Sequence, residues 1–330
     1  MRFALTGSTG GVGAAFIDVA LSHAHSLRAL VRDRAHASAL QREGVTLVEG
    51  DLASDSALRE LAEGADVFVH TAAHVGDFGD REPFVEVNVR GTERAVRAAA
   101  SAGVHRFVHL SSVAVYGRPD RGIINELYAP RLFGAPYEDT KFQAERVAFA
   151  LGKELGMEVV ALRPPVIFGP FDRVFVPRVL GLLKKGLAIV VDGGEAPLNV
   201  IDVRDLCDAI LLAATSKRAP GEAFNIASSP PPTIRSVLDT IARASHMPLP
   251  PKGPISLPYG VALTLATVIE GSMAHVSPKK QPPFSRQLVV QMTRRVVYDS
   301  SKARELLGWQ GGKKPLAALE QTVRNHFVRA

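Results

Sequence analysis

The fold of this chain is decided by Thr6-Gly7-Ser8-Thr9-Gly10-Gly11-Val12-Gly13, a stretch that follows a short apolar run and precedes a helical pattern. Glycines at positions 7, 10 and 13 suit a tight turn, close approach of the backbone to a pyrophosphate, and close packing of the helix on the strand. The start of the following helix offers unpaired N–H groups and the positive end of a dipole to phosphates. A glycine pattern at a strand-to-helix turn therefore predicts a dinucleotide site rather than a turn without a ligand.

Short apolar runs alternate with longer helical patterns over the first 165 residues. Because each run is apolar on both faces, it is typical of a parallel strand covered by helices on both sides. The alternation predicts a Rossmann-type α/β fold, a doubly wound parallel sheet with right-handed crossovers. The predicted strands are Phe3–Thr6, Leu27–Val31, Val45–Val48, Val67–His70, Phe107–Leu110 and Val159–Leu162. Four helical patterns each end in a glycine just before the next strand, as helices commonly do. These glycines are Gly44, Gly64, Gly103 and Gly156.

Beyond residue 165 proline and glycine become frequent, and the helical patterns are separated by irregular links. We therefore predict a nucleotide-binding domain over residues 1–165 and a smaller, mainly helical C-terminal substrate region over residues 166–330. Leu198–Val203 is expected to return to the sheet, so that residues 198–226 would belong to the first domain.

The composition argues against several classes of protein. Lys and Arg number 39 against 33 Asp and Glu, a formal net charge of +6, but the basic residues are scattered. The closest pairs, such as Lys279-Lys280, are too short to follow a phosphate backbone, so no nucleic-acid partner is predicted. Cys207 is the one cysteine, which excludes an internal disulfide. The ten histidines lack paired metal-ligand spacing, and no metal is predicted.

No signal-peptide core precedes the glycine stretch, and the longest apolar segment, Ile255–Ile269, is 15 residues long and contains Pro258. A bilayer span needs about 20 apolar residues. We therefore predict a cytoplasmic protein without a transmembrane span. The apolar segment has two interpretations: a helix buried by its own domain, or a flap that covers an apolar pocket or touches a membrane surface.

The end of the second predicted strand bears on the choice of coenzyme. It reads Leu30-Val31-Arg32-Asp33-Arg34. An acidic residue here binds the ribose hydroxyls of NAD, whereas a guanidinium binds the 2′-phosphate of NADP. Arg32 therefore favours NADP, and NAD stays open as the alternative if Asp33 binds the ribose.

Two further motifs carry catalytic chemistry. Tyr137 and Lys141 lie one helical turn apart on one face. A phenol has a pKa near 10, and a neighbouring ammonium favours its ionised form. Ser112 follows the fifth predicted strand, where ligands of open parallel sheets bind. Its hydroxyl could hold a substrate oxygen while the tyrosine transfers the proton. An ordinary exposed i, i+4 pair and a capping serine are the alternatives.

The sequence resembles the extended short-chain dehydrogenase/reductase family, which includes NAD-dependent epimerases and dehydratases, over nearly the whole chain. The motifs that carry the resemblance are Thr6-Gly7-x-x-Gly10-x-x-Gly13, Gly50-Asp51-Leu52, His70-Thr71-Ala72-Ala73, Asn88-Val89-x-Gly91-Thr92, Ser112-x-x-Val115-Tyr116-Gly117, Tyr137-x-x-x-Lys141 and Leu162–Pro170.

The resemblance implies that Ser112, Tyr137 and Lys141 are catalytic. It implies that Asp51 contacts the adenine, and that Asn88 and residues 164–166 hold the nicotinamide half. With Arg32 added from the strand end, the predicted cofactor-binding residues are Gly7, Thr9, Gly10, Gly11, Val12, Gly13, Arg32, Asp51, Leu52, Thr71, Ala72, Ala73, Asn88, Tyr137, Lys141, Pro165 and Val166.

Within that family the C-terminal part is most similar to the 3β-hydroxysteroid dehydrogenase group, through Leu257–Glu270, Pro282–Arg286 and Tyr298–Trp309. The resemblance implies an NADP- or NAD-dependent oxidoreductase that interconverts a ketone and a secondary alcohol on a sterol-like, lipid or polyketide-like substrate. The alternatives are a sugar-nucleotide epimerase or dehydratase that keeps NAD bound, and a non-catalytic NADP sensor. A homodimer and peripheral contact with a membrane are compatible with each of these.

Overall fold

The computed structural model describes residues 1–76, 79–247, 255–276 and 284–328. The strands are β1 (Arg2–Thr6), β2 (Ser26–Val31), β3 (Val45–Glu49), β4 (Val67–His70), β5 (Arg106–Leu110), β6 (Arg121–Ile124), β7 (Glu158–Arg163), β8 (Val166–Phe168), β9 (Ile189–Val191), β10 (Val200–Asp202), β11 (Ala223–Asn225), β12 (Ile255–Leu257) and β13 (Arg295–Tyr298). The helices are α1 (Gly11–Ser22), α2 (Asp55–Ala62), α3 (Arg81–Phe84), α4 (Gly91–Ser101), α5 (Pro136–Leu155), α6 (Phe175–Lys184), α7 (Val203–Thr215), α8 (Ile234–Ala244), α9 (Tyr259–Val276), α10 (Arg286–Gln291), α11 (Ser301–Leu307) and α12 (Pro315–Val328).

Seven strands form one parallel sheet in the order β11-β7-β5-β4-β1-β2-β3. The predicted Rossmann-type fold is confirmed, and each of the six predicted strands forms within one residue of its expected bounds. The strand order reverses between β1 and β4, so the loops that follow these strands diverge and leave a crevice at the carboxyl edge of the sheet. Ligands of doubly wound sheets bind at this kind of crevice.

The segment expected to return to the sheet behaves differently from the prediction. Leu198–Val203 does contain a strand, β10, but it pairs with β8 in a separate two-stranded sheet. The strand that joins the main sheet is β11, which pairs with β7 at one edge. Apolar character alone does not specify the partner of a three-residue strand, because both partners offer the same backbone groups. The domain division after residue 165 stays a prediction.

Two helical segments also differ from the prediction. Before Gly44 there is a single 3₁₀ turn, Ser38–Leu40, instead of a helix. Asp33 accepts hydrogen bonds from the backbone N–H groups of Ala35 and His36, which favours a turn at the start of this segment. The helical pattern before Gly103 spans Arg90–Ala102 in the sequence. In the structure the helix begins nine residues earlier, at Arg81, as α3 and runs through a π-helical turn, Val85–Arg90, into α4.

Helices cover both faces of the sheet. On one face α1 and α7 bury Phe16, Ile17, Leu206 and Ile210. On the other face the apolar sides of α2, α4 and α5 form a second cluster. A third cluster unites α6, α8 and α12 in the C-terminal part of the chain. Helix α5 contributes Ala148 and Leu151 to the second cluster, so its C-terminal half is packed against the sheet.

The apolar segment at 255–269 is not a single helix. It starts as β12, and Pro258 separates this strand from α9, whose first backbone N–H donates to Asp192 Oδ1 at 2.9 Å. One side of α9 is buried, but Val261, Leu265 and Val268 on the other side are 54%, 40% and 60% exposed. Among the described residues, no helix is long and apolar enough to cross a bilayer.

Candidate active site

The glycine turn packs so closely at Gly7 and Gly13 that neither position has room for a side chain. Gly7 has a φ of +72°, and a Cβ there would lie 2.6 Å from the backbone nitrogen of Ala72. A Cβ at Gly13 would lie 2.2 Å from the carbonyl oxygen of Gly7. Gly10 caps α1 without any side-chain hydrogen bond, which leaves the first N–H groups of the helix for a ligand. The turn therefore fits a dinucleotide pyrophosphate.

The loop after β4 lies directly against this turn. Thr71 donates its hydroxyl to the Thr6 carbonyl at 2.8 Å. Asn88, in the π-helical turn, accepts from the His74 N–H at 2.7 Å and donates to the His74 carbonyl at 3.1 Å and to Thr140 Oγ1 at 3.0 Å. Because both amide hydrogens are used, Asn88 fixes the loop and ties it to α5. Its direct contact with a cofactor stays a prediction.

The next two strand ends hold the predicted adenosine-side residues. Arg32 is exposed at the end of β2, and Asp33 bonds to its own turn and to the His36 ring at 2.6 Å. Asp51 follows β3 and accepts from the Ala53 N–H at 2.9 Å. Leu52 packs against α4, where a Cβ at Gly91 would lie 2.8 Å from it. These residues share one edge of the sheet with the glycine turn.

Ser112 lies in the loop that follows β5. The residue is buried, and its Oγ accepts from the Ala114 N–H at 3.1 Å and lies 3.5 Å from the Pro164 carbonyl. The Val113 N–H donates to the same carbonyl at 3.1 Å. The ends of β5 and β7 therefore hold the serine loop together, although the sequence suggested a role for residues 164–166 at the cofactor only.

Tyr137 and Lys141 lie in the first two turns of α5, as predicted. Lys141 is only 3% exposed, and its Nζ donates to the Leu110 carbonyl at 2.6 Å, one residue before the serine loop begins. Burial lowers the pKa of Lys141 to about 8, and the carboxylate of Glu145 opposes this effect. The fold thus brings the predicted lysine to the strand end that carries the predicted serine.

Two buried histidines lie near Lys141, and the sequence did not single them out as site residues. The His70 ring is hydrogen-bonded to the hydroxyls of Thr6 and Thr92, at 2.7 and 3.1 Å, and stacks on His109 at 5.7 Å between centroids. Burial and then the charge of Lys141 lower the pKa of His70 to about 3, and that of His109 well below its usual value. Both rings are therefore neutral at physiological pH.

The remaining predicted residues lie around the crevice. Thr9 is exposed, and Val12 packs against the cluster that includes α7. Gly11 faces the loop after β8, because its Cβ would lie 3.1 Å from the Phe171 carbonyl. Pro165 is half-buried. Val166, in β8, is partly exposed outside the main sheet. Within the described residues, no group of three His, Cys, Asp or Glu side chains could hold a metal ion.

Comparison with known proteins agrees with this geometry. The sequence model of the NAD dependent epimerase/dehydratase family matches residues 3–227. The 4-hydroxy-2-methyl-3-oxo-4-farnesyl-3,4-dihydroquinoline-1-oxide ketoreductase of Stigmatella aurantiaca is 30% identical over 315 residues, which cover 94% of this chain and 92% of the relative. The 3 beta-hydroxysteroid dehydrogenase/Delta 5-->4-isomerase of Mycobacterium tuberculosis is 30% identical over 244 residues, 70% of this chain and 65% of that protein.

A solved structure gives the same fold. The UDP-glucuronic acid 4-epimerase from Bacillus cereus in complex with NAD superposes with a TM-score of 0.78 at 19% identity, covering 100% of both chains. The resemblance read from the motifs is confirmed, including its link to the hydroxysteroid dehydrogenases. The chain belongs to the NAD-dependent epimerase/dehydratase family and is an NAD(P)-dependent oxidoreductase.

Proposed function

We propose that this oxidoreductase interconverts a ketone and a secondary alcohol on a hydrophobic substrate, with Ser112, Tyr137 and Lys141 as its catalytic residues. The observation that carries the proposal is the buried ammonium of Lys141. It lies one helical turn from Tyr137 and is hydrogen-bonded to the strand end that leads into Ser112. A buried cation that is held this close to a phenol favours transfer of the phenolic proton.

In the reducing direction Ser112 donates a hydrogen bond to the substrate carbonyl oxygen and orients it. The reduced nicotinamide, when bound, supplies the hydride to the carbonyl carbon. Tyr137 gives its proton to the oxygen as the negative charge develops there. Lys141 stabilises the resulting phenolate, which then regains a proton from solvent. The rings of His70 and His109 are neutral, so they add no positive charge beside the ammonium of Lys141.

A hydrophobic substrate is supported by the side chains on the loops that follow the strands. Val75 after β4, Leu132 and Phe133 before α5, and Val174 after β8 are all exposed. Exposed apolar residues on loops that follow strands are typical of an entrance for an apolar molecule. The name of the Stigmatella relative describes a ketone that carries a farnesyl group, and this agrees with the same substrate class.

NADP is the proposed coenzyme, and the support comes from the end of β2. The carboxylate of Asp33 is engaged by two backbone N–H groups and by His36. Arg32 is exposed and forms no ion pair with any other described residue. A ribose would have to compete with these bonds for Asp33, whereas a 2′-phosphate would find the guanidinium available.

The proposal is tested by following coenzyme oxidation with a panel of alkyl ketones, sterol ketones and nucleotide sugars. We expect net oxidation of NADPH with hydrophobic ketones, and one alcohol formed for each coenzyme consumed. An epimerase returns its hydride to the substrate and releases no oxidised coenzyme. Epimerisation of a nucleotide sugar without net coenzyme turnover would therefore overturn the proposal in favour of the epimerase alternative.

A further inference from the structure

A buried ion pair lies behind the catalytic helix. Glu145 of α5 and Arg163, the last residue of β7, are 4% and 5% exposed. The Arg163 Nε donates to Glu145 Oε2 at 2.9 Å, and a second guanidinium nitrogen donates to Glu145 Oε1. Breaking such a pair by removing one partner costs about 3–5 kcal/mol, whereas replacing both by apolar residues is often neutral. Stability alone therefore does not explain why an ion pair occupies this buried position.

The same guanidinium reaches the loop that carries Ser112. A third nitrogen of Arg163 donates to the Tyr116 hydroxyl at 2.8 Å, and this hydroxyl donates to Asn225 Oδ1 at 2.8 Å. The guanidinium also lies 5.0 Å from the centroid of the Tyr116 ring. Tyr116 ends the 3₁₀ turn that begins directly after Ser112. One arginine thus joins the serine loop to the helix that carries Lys141.

Glu145 lies one helical turn beyond Lys141 on the same face of α5. Its negative charge favours the protonated lysine and opposes the burial that lowers the pKa of Lys141 to about 8. Within the part of the chain that the structure describes, the other ionisable groups around Lys141 are Tyr137 on α5, His70 at the end of β4 and His109 on β5, with Arg163 on the far side of Glu145. The two histidines are neutral at physiological pH, so Glu145 supplies the stabilising charge.

We infer that Glu145 is a positioning residue that keeps the Lys141 ammonium charged beside Tyr137, and that its ion pair with Arg163 couples this lysine to the loop carrying Ser112. The catalytic meaning of this inference rests on the proposed function. The electrostatic effect on Lys141 does not, and it can be measured without substrate or coenzyme.

The test uses the pH dependence of stability. The unfolded chain keeps its lysine protons up to about pH 10.4, whereas the folded protein releases that of Lys141 near pH 8. The unfolded state therefore binds more protons in this window, and the free energy of unfolding gains a contribution that rises with pH. In Glu145→Gln the lysine loses its supporting charge, so this rise begins at a lower pH than in the parent protein.

Urea unfolding from pH 6 to 10 measures the effect. Subtracting the parent curve removes contributions that both proteins share, such as titration of Cys207. Glu158→Gln is the matched control. Glu158 lies at the opposite end of β7 from Arg163, and its carboxylate is 2.6 Å from the guanidinium of Arg106, so this variant breaks a different ion pair of the same strand. We expect it to lower stability without moving the onset. If Glu145→Gln does not fold, Glu145→Gln combined with Arg163→Met removes the charge and leaves no unpaired guanidinium.

The rate of the enzyme gives a second readout. On the alkaline limb of kcat, where loss of the Lys141 proton limits the rate, each unit of displacement lowers the rate about tenfold. Glu145→Gln should move this limb to lower pH, and Glu145→Asp should restore it. Stability curves for Glu145→Gln and the double variant that parallel the parent curve would overturn the inference. A displaced onset with an active Tyr137→Phe enzyme would instead reject the proposed function and leave the electrostatic role intact.

Discussion

The glycine turn and helix α9 show two opposite ways in which this sequence specifies a surface. In the turn, backbone meets backbone: Gly7 approaches the Ala72 nitrogen and Gly13 approaches the Gly7 carbonyl so closely that no side chain fits. In α9, Val261, Leu265 and Val268 face outward and touch little of the described chain. At Gly7 and Gly13 only glycine fits, whereas the exposed positions of α9 accept many different apolar residues.

This difference explains why the coenzyme class follows from the sequence more readily than the substrate does. A pyrophosphate site requires glycines at fixed spacings, because the backbone itself is the binding group. A hydrophobic substrate requires apolar area in roughly the right place, and many residues supply it. The predictions below test each side of this contrast, beginning with the largest effect.

Gly10→Val should abolish coenzyme binding while the protein stays folded. A Cβ at Gly10 would lie 3.2 Å from the Gly7 carbonyl, a tight contact that a small shift relieves, so the added side chain projects toward the ligand. A Cβ at Gly13 would lie only 2.2 Å from the same carbonyl, so Gly13→Leu should also disturb the turn. Calorimetry with NADP and NAD measures the loss of coenzyme binding, and thermal unfolding shows whether the turn itself has been disturbed.

The matched control for Gly10→Val is Gly181→Ala, because nothing lies within 4 Å of a Cβ at that position in α6. Unchanged affinity of Gly10→Val for both coenzymes would contradict the assignment of the turn.

Tyr137→Phe tests the proposed proton donor, which would act on both the coenzyme side and the substrate side of the site. The change keeps the ring and removes the transferable proton, so kcat should fall by about 10²-fold or more. Coenzyme affinity and the midpoint of thermal unfolding serve as controls and should change little. Steady-state kinetics with a saturating ketone measures the effect. Near-normal turnover would show that the proton comes from elsewhere.

Arg32→Ala sharpens the coenzyme side of the comparison. Charge-assisted hydrogen bonds contribute about 1.5–3 kcal/mol each, so loss of the guanidinium should weaken NADP binding by roughly 10- to 150-fold. NAD lacks the 2′-phosphate and should bind nearly as before. Dissociation constants for both coenzymes, measured side by side, decide the matter. An equal loss for both would make Arg32 a structural residue.

A homologous series of ketones tests the substrate side, where each step should have the smallest effect. Burial of one methylene contributes about 0.8 kcal/mol, or roughly fourfold in affinity. KM should therefore fall steadily as the alkyl chain lengthens until the apolar surface is filled. A KM that does not depend on chain length would mean that the exposed apolar residues near the site have another purpose.

Much of the fold could be predicted from the sequence, because parallel strands that are buried on both faces read as apolar runs. The partner of β10 could not, since a three-residue strand carries no information about which edge it joins. The helix predicted before Gly44 is replaced by a 3₁₀ turn, because the Asp33 carboxylate accepts hydrogen bonds from the backbone N–H groups of Ala35 and His36.

The candidate site shows the same division. Ser112, Tyr137 and Lys141 were predicted from motif and spacing, and the structure brings Lys141 to the strand that leads into Ser112. The ion pair of Glu145 with Arg163 was missed, because its partners lie 18 residues apart on different elements. The spacing of Glu145 from Lys141 was the available signal, since residues four apart share a helix face.

The most direct test of the central claim is the fate of a labelled hydride. The protein would be incubated with a long-chain ketone and NADPH deuterated at the transferable position, and the product analysed by mass spectrometry. The account predicts an alcohol that carries one deuterium at the carbinol carbon, with one equivalent of NADP released. An enzyme that leaves every ketone unlabelled, yet epimerises a nucleotide sugar with its coenzyme still bound, would contradict it.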